Sequence, residues 1–214
     1  MAVRLQEVHP AVVHAPLALL PAAVVADLLG RATGRDTLRA MGRILMPAAA
    51  ASAAVSAVTG LVAQEEVVAD EVGQDLLVTH RNLNISLVTL TTALAAWRLR
   101  RERPGGGYLA LALAGIGAMS YSAYLGGKMV YEHGVGVKPA DGLRDGDSPE
   151  LLPSRAGEVA RRVGSDIERG VAHALEDLRT RDPLPAIGRG SVERPAARPA
   201  ATVADGAASI EAMP

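Results

Sequence analysis

Apolar positions gather into four runs, residues 11–29, 44–63, 76–97 and 108–127, separated by short polar connections. A helix needs about 20 apolar residues to cross a bilayer, so each run predicts one span. Connections this short favour antiparallel neighbours. The pattern therefore predicts an all-α fold, an integral membrane four-helix up-down bundle over residues 1–138. From about residue 138 the apolar runs stop, and residues 139–214 form a second region. Within it, residues 138–153 are rich in Pro, Gly and Asp and read as a linker. Val159, Val163, Ile167, Val171 and Leu175 then recur every fourth residue. That spacing predicts a short amphipathic helix over about 155–180, a solvated helix resting on the bundle or membrane surface, or one half of a helical pair. Residues 183–214 are Pro- and Ala-rich without sustained periodicity and are expected to be a disordered C-terminal tail.

The runs carry further detail. Pro16 falls in the first turn of the first helix, where a missing N–H is tolerated, while Pro21 falls deeper and is expected to kink it. Ala48, Ser52 and Ser56 share one face of the second helix, a small-residue face suited to close helix packing. Ala112, Gly115 and Gly126 do the same for the fourth. The first run lacks the basic n-region of a secretory leader and reads as a retained span.

Charge sets the orientation. Arg31, Arg35, Arg39 and Arg43 follow the first span, and Arg98, Arg100, Arg101 and Arg103 follow the third. The intervening connection carries Glu65, Glu66, Asp70, Glu71 and Asp75, expected to be a solvated acidic loop. By the positive-inside rule both arginine connections are cytoplasmic, which makes this a multi-pass cell-membrane protein with both termini extracytoplasmic. The lipid bilayer is its first partner. A net charge of -1 over 214 residues does not suggest a nucleic-acid partner. The absence of cysteine excludes disulfides, thiolate metal sites and covalently attached c-type haem.

Threading the spans through the bilayer brings four of the five histidines to one end, although they are far apart in sequence. His9 and His14 enter the first helix, His80 lies near the start of the third, and His133 lies just past the fourth. Imidazole ligates haem iron, zinc and copper. The first expectation is b-type haem and electron transfer, with His14 and His80 as axial ligands and His133 as an alternative to either. His9 would cap or line the approach. The second is zinc or copper held by His14, His80 and His133, and the third is a non-catalytic scaffold subunit for a redox or envelope protein partner. Asn84, one turn after His80, and Tyr131 and Glu132, beside His133, are candidate supports for the imidazoles. No P-loop, dinucleotide fingerprint, nucleophile elbow or zinc-protease motif occurs, so no catalytic residue is assigned and a stand-alone enzyme is not expected.

These residues also carry a resemblance. His9-Pro10 and Val13-His14-Ala15-Pro16 lead into an apolar helix, Thr59-Gly60 ends the second, and His80 with Leu83 lies in the third. Leu125-Gly126-Gly127 and the run from Val130 to Val137 complete the set. The set resembles the prokaryotic membrane family known as domain of unknown function 2231, over about residues 5–138. The family often has Phe where Ala15 stands. Relatives joined to Rieske-type or c-type cytochrome domains imply an electron-transfer setting. Any redox centre in this chain would then be histidine-ligated or supplied by a partner.

Overall fold

The computed structural model describes residues 3–144 and 149–188. Its helices are α1 (Val8–Val12), α2 (His14–Thr33), α3 (Asp36–Ala63), α4 (Glu71–Arg100), α5 (Gly106–Tyr131), α6 (Ala156–Thr180) and α7 (Pro185–Gly188). No strand is present among the described residues; two isolated bridges, Arg4 with Glu150 and Val67 with Leu143, fasten the 143–150 connection to the N-terminal segment and to the connection after α3. α2 packs on α3, α3 on α4, α4 on α5, and α5 back on α2, closing a four-helix up-down bundle. The expected disordered tail lies outside the described residues from 189 onwards.

Helix ends follow local chemistry. α2 runs through Pro21 and stops at Gly34, whose φ of 73° is a left-handed conformation that glycine adopts at low cost. Arg35 is extended, and α3 starts at once, so Arg39 and Arg43 sit on its first turns. The helices cross closely there: a Cβ on Gly30 would lie 3.0 Å from the Arg39 backbone nitrogen. Asp70 caps α4 by accepting a 2.6 Å bond from the Gly73 N–H.

The interior is built mainly of small and medium side chains. Leu20, Ala23 and Val24 of α2 meet Met46, Ala49 and Ala50 of α3, Leu94 and Ala95 of α4, and Tyr108, Leu109 and Ala112 of α5. Alanine on facing helices brings backbones close and recovers dispersion energy where lipid removes most of the hydrophobic gain. Large apolar residues point outward instead, among them Val25, Leu29, Ile44, Val55, Val58, Leu111 and Leu113.

Three helical stretches are long and apolar enough to cross a membrane: Leu5–Thr33, Asp36–Glu66 and Gly106–Tyr131. The expected third span is not among them. α4 has the length, 30 residues, but buries Asp75, Thr79, Arg81, Asn82 and Arg98. Protein groups meet several of these side chains. Arg98 meets Asp27 of α2, Arg81 meets Asp177 of α6, and Asn82 donates to the Pro183 carbonyl at 2.8 Å. A helix whose polar side chains all find protein partners can stand in the bundle without a uniformly apolar surface.

The acidic connection differs from expectation too. Glu65, Glu66 and Asp75 are buried, because α6 lies across the end of α3 and covers the connection. Glu66 pairs with Arg162 at 2.6 Å, and Glu65 with His173 at 2.9 Å. Gln64 donates to the Gly170 carbonyl at 3.2 Å. Contact is close at Gly170, where a Cβ would lie 2.8 Å from the Leu61 carbonyl oxygen.

Candidate histidine site

His9 and His80 are seated in the same way on different helices. From α1, His9 reaches α3: its Nδ1 lies 3.1 Å from the Ser56 carbonyl oxygen and 3.3 Å from Thr59 Oγ1. Its ring lies against Gly60, where a Cβ would be 3.1 Å from Cε1. From α4, His80 reaches α5: its Nδ1 lies 2.9 Å from the Ser122 carbonyl oxygen and 3.0 Å from Ser122 Oγ. That ring lies against Gly126, where a Cβ would be 3.4 Å from Cε1. In both cases a helical glycine makes room for the ring, and the carbonyl four residues earlier receives the ring N–H.

This arrangement fixes the tautomer. A carbonyl oxygen only accepts, so Nδ1 donates on each ring and a neutral imidazole keeps its lone pair on Nε2. The Thr59 hydroxyl donates to the Ser56 carbonyl at 2.9 Å, which leaves Oγ1 free to accept from His9. Asn84 Nδ2 donates to Ser122 Oγ at 2.9 Å and to the His80 backbone carbonyl at 2.8 Å. No hydrogen bond to either Nε2 forms among the described residues.

The remaining histidines are placed differently. His14 is exposed at the start of α2, with Nδ1 3.3 Å from the Ala11 carbonyl of its own chain turn. His133 has a buried side chain and donates from Nδ1 to Asp70 at 3.2 Å, joining the end of α5 to the cap of α4. Burial pushes the Asp70 carboxyl up, but the bonds from the Gly73 N–H and His133 outweigh it and hold the group below its ordinary range. Tyr131 is exposed, and exposed Glu132 lies 3.4 Å from Lys128. Neither supports an imidazole. The structure thus seats His9 and His80 alike, on α3 and α5, and leaves His14 and His133 in other surroundings. Among the described residues no three His, Asp or Glu side chains gather as a metal-ion site.

Ser56, Ser122 and the use made of Gly60 and Gly126 were not visible as site residues in the sequence. A signal exists, since Ser56-x3-Gly60 and Ser122-x3-Gly126 repeat one spacing on two helices. Its use depends on which helix faces each histidine, and only the packing supplies that. A second polar centre was also missed, at the arginine end. Arg98 Nε donates to both oxygens of Asp27 at 2.9 Å, and the Tyr108 hydroxyl donates to Asp27 Oδ2 at 2.9 Å. Arg98 also donates to the backbone carbonyls of Arg39 at 2.8 Å and Arg101 at 2.7 Å. Asp27 and Arg98 have no exposed side-chain surface, and Gly42 faces the carboxylate too closely to admit a Cβ. The group is internally satisfied and ties four helices together.

The family model for predicted membrane proteins called domain of unknown function 2231 matches residues 6–139. Comparison with curated proteins finds no match, nor does comparison with solved structures. The matched region runs from the α1 segment that carries His9, through the four-helix bundle, to just beyond the exit of α5. The chain belongs to the domain of unknown function 2231 family of membrane proteins.

Proposed function

We propose that this membrane protein binds b-type haem through His9 and His80 and takes part in electron transfer at the end of the bundle away from the cytoplasm. The observation that carries the reading is the shared seat of the two imidazoles. Metal-ligating histidines commonly donate the second ring N–H to a carbonyl, which fixes the ring and raises the basicity of the other nitrogen. Both rings have that bond and keep Nε2 for a ligand. Two such donors would be the number that a bis-histidine haem requires, with His9 and His80 holding it. A zinc or copper site would need a further side chain, and no group of three is assembled among the described residues.

Haem bound there would supply a one-electron iron couple. The chain itself orients and insulates. The Ser56 and Ser122 carbonyls hold the imidazole planes, and Asn84 steadies the Ser122 hydroxyl. Gly60 and Gly126 keep the rings close to α3 and α5. Arg35, Arg39, Arg100, Arg101 and Arg103 gather at the opposite end and favour the cytoplasmic side for it. This supports a cell-membrane location with the histidine end, and both termini, outside the cytoplasm. The donor or acceptor of electrons would be a redox protein on that side.

A Soret band in the full-length protein, purified after expression with adequate haem, tests the reading. A stoichiometric, low-spin bis-imidazole spectrum supports it, and a haem-free protein overturns it. A second reading rests on the same bonds. Each joins two helices, α1 to α3 and α4 to α5, as a scaffold for a redox or envelope partner would require. On that reading, alanine at His9 or His80 lowers stability and no haem is found.

A further inference from the structure

α6 presents three faces rather than two. Asp166, Gly170 and Ala174 are buried against the bundle, with Asp177 half-buried on the same side. Arg161, Ser165, Glu168 and Glu176 form an exposed polar flank. Between these faces lie Val171, Leu175 and Leu178, which are 42%, 51% and 53% exposed. Their spacing of four and three residues puts them in one stripe. An amphipathic helix on a water-soluble protein would turn that stripe inward. Here the docking face is polar, with Arg81–Asp177 and Glu66–Arg162 as its ion pairs, and the apolar stripe points off the protein.

The place where α6 docks says what covers the stripe. Val55, Val58 and Leu61 follow one face of α3, a candidate membrane span, at three-residue spacing. Val55 and Val58 are exposed, as a lipid-facing belt requires, while Leu61 lies under Gly170. α6 therefore sits on the lipid-facing side of α3 at the end of the span, and its outward stripe continues the apolar belt. Arg169 and Arg181, each with a 48% exposed side chain, pair with Asp166 and Asp177 of α6.

We propose that α6 is an interfacial membrane helix that buries Val171, Leu175 and Leu178 in the outermost acyl region of the bilayer its neighbours cross. Its polar face is held by ion pairs to α4 and to the acidic connection that follows α3, and its charged flank faces the headgroups and water. This placement stands independently of any haem.

The chain contains no cysteine, so single labels can be introduced without a background. Val171→Cys, Leu175→Cys, Leu178→Cys, Ser165→Cys and Glu176→Cys variants of the full chain would each carry an environment-sensitive fluorophore. They would be reconstituted in phosphatidylcholine–phosphatidylglycerol vesicles. Labels at 171, 175 and 178 are expected to be quenched severalfold more by spin-labelled lipid than those at 165 and 176, with the reverse order for a water-soluble quencher. All five positions are exposed, and unchanged thermal unfolding of the labelled proteins would verify the fold. Equal aqueous quenching at all five would overturn the proposal in favour of a solvated helix. Shielding of the stripe from both quenchers, with cross-linking of Leu175→Cys between chains, would overturn it in favour of a second copy as the occupant.

Discussion

His9 donates to a carbonyl on α3 and His80 to one on α5, and each ring rests on the glycine one turn further along. The glycines are therefore as necessary to the site as the imidazoles. In Gly60→Val the new Cβ would lie 3.1 Å from His9 Cε1, and a branched side chain would force the ring away. Haem content is expected to fall to that of His9→Ala, with helicity by circular dichroism unchanged. Asp27 makes a different case. Asp27→Ala would leave the Arg98 guanidinium buried without its counter-charge, a loss of about 3–5 kcal/mol. Tyr108→Phe removes only a neutral donor to the carboxylate and is expected to cost about 1–3 kcal/mol. Denaturant unfolding in detergent checks both values. At this scale the sequence predicted a shared depth for the histidines but could not say which helix each ring would rest on. His9 and His14 are five residues apart, on different sides of nearly continuous helical backbone, so His9 faces α3 while His14 is exposed.

At the scale of elements, the spans 11–29, 44–63 and 108–127 were legible because lipid-facing and core-facing positions are both apolar, so the runs are continuous. α4 was legible as a helix but hid its character. Its polar residues are tolerable only because Asp27, Asp177 and Pro183 meet them, and these lie 71, 96 and 101 residues away from their partners. The amphipathic period of α6 located that helix well, with observed bounds Ala156–Thr180 against the expected 155–180. Apolar period alone could not say that its polar face would dock. Glu66→Gln is thus expected to weaken the Arg162 contact and raise amide hydrogen exchange across α6, with α2 and α3 unchanged. Asp70 adds a pH dependence at the α4–α5 junction. Its pKa is lowered in the folded chain, so its contribution is complete above the ordinary value of 3.8. The contribution is lost as the pH falls through the lowered value. Asp70→Asn is expected to flatten that acid-side loss of thermal stability and to leave stability near neutrality little changed in its slope.

For the molecule as a whole, the two ends of the bundle carry different chemistry. The arginine end is closed by a satisfied Asp27–Arg98–Tyr108 group, while at the other end His9 and His80 make no hydrogen bond through Nε2 among the described residues. This asymmetry is the reason for placing a ligand at the histidine end, and it makes the identity of the ligating pair the central claim. The most direct measurement is the absorption spectrum of four purified full-length variants, His9→Ala, His80→Ala, His14→Ala and His133→Ala, beside the unaltered chain. The account predicts a bis-imidazole haem spectrum in the unaltered chain, in His14→Ala and in His133→Ala, and its loss in His9→Ala and His80→Ala. Retention of that spectrum in His9→Ala, or its loss in His14→Ala, would contradict the account.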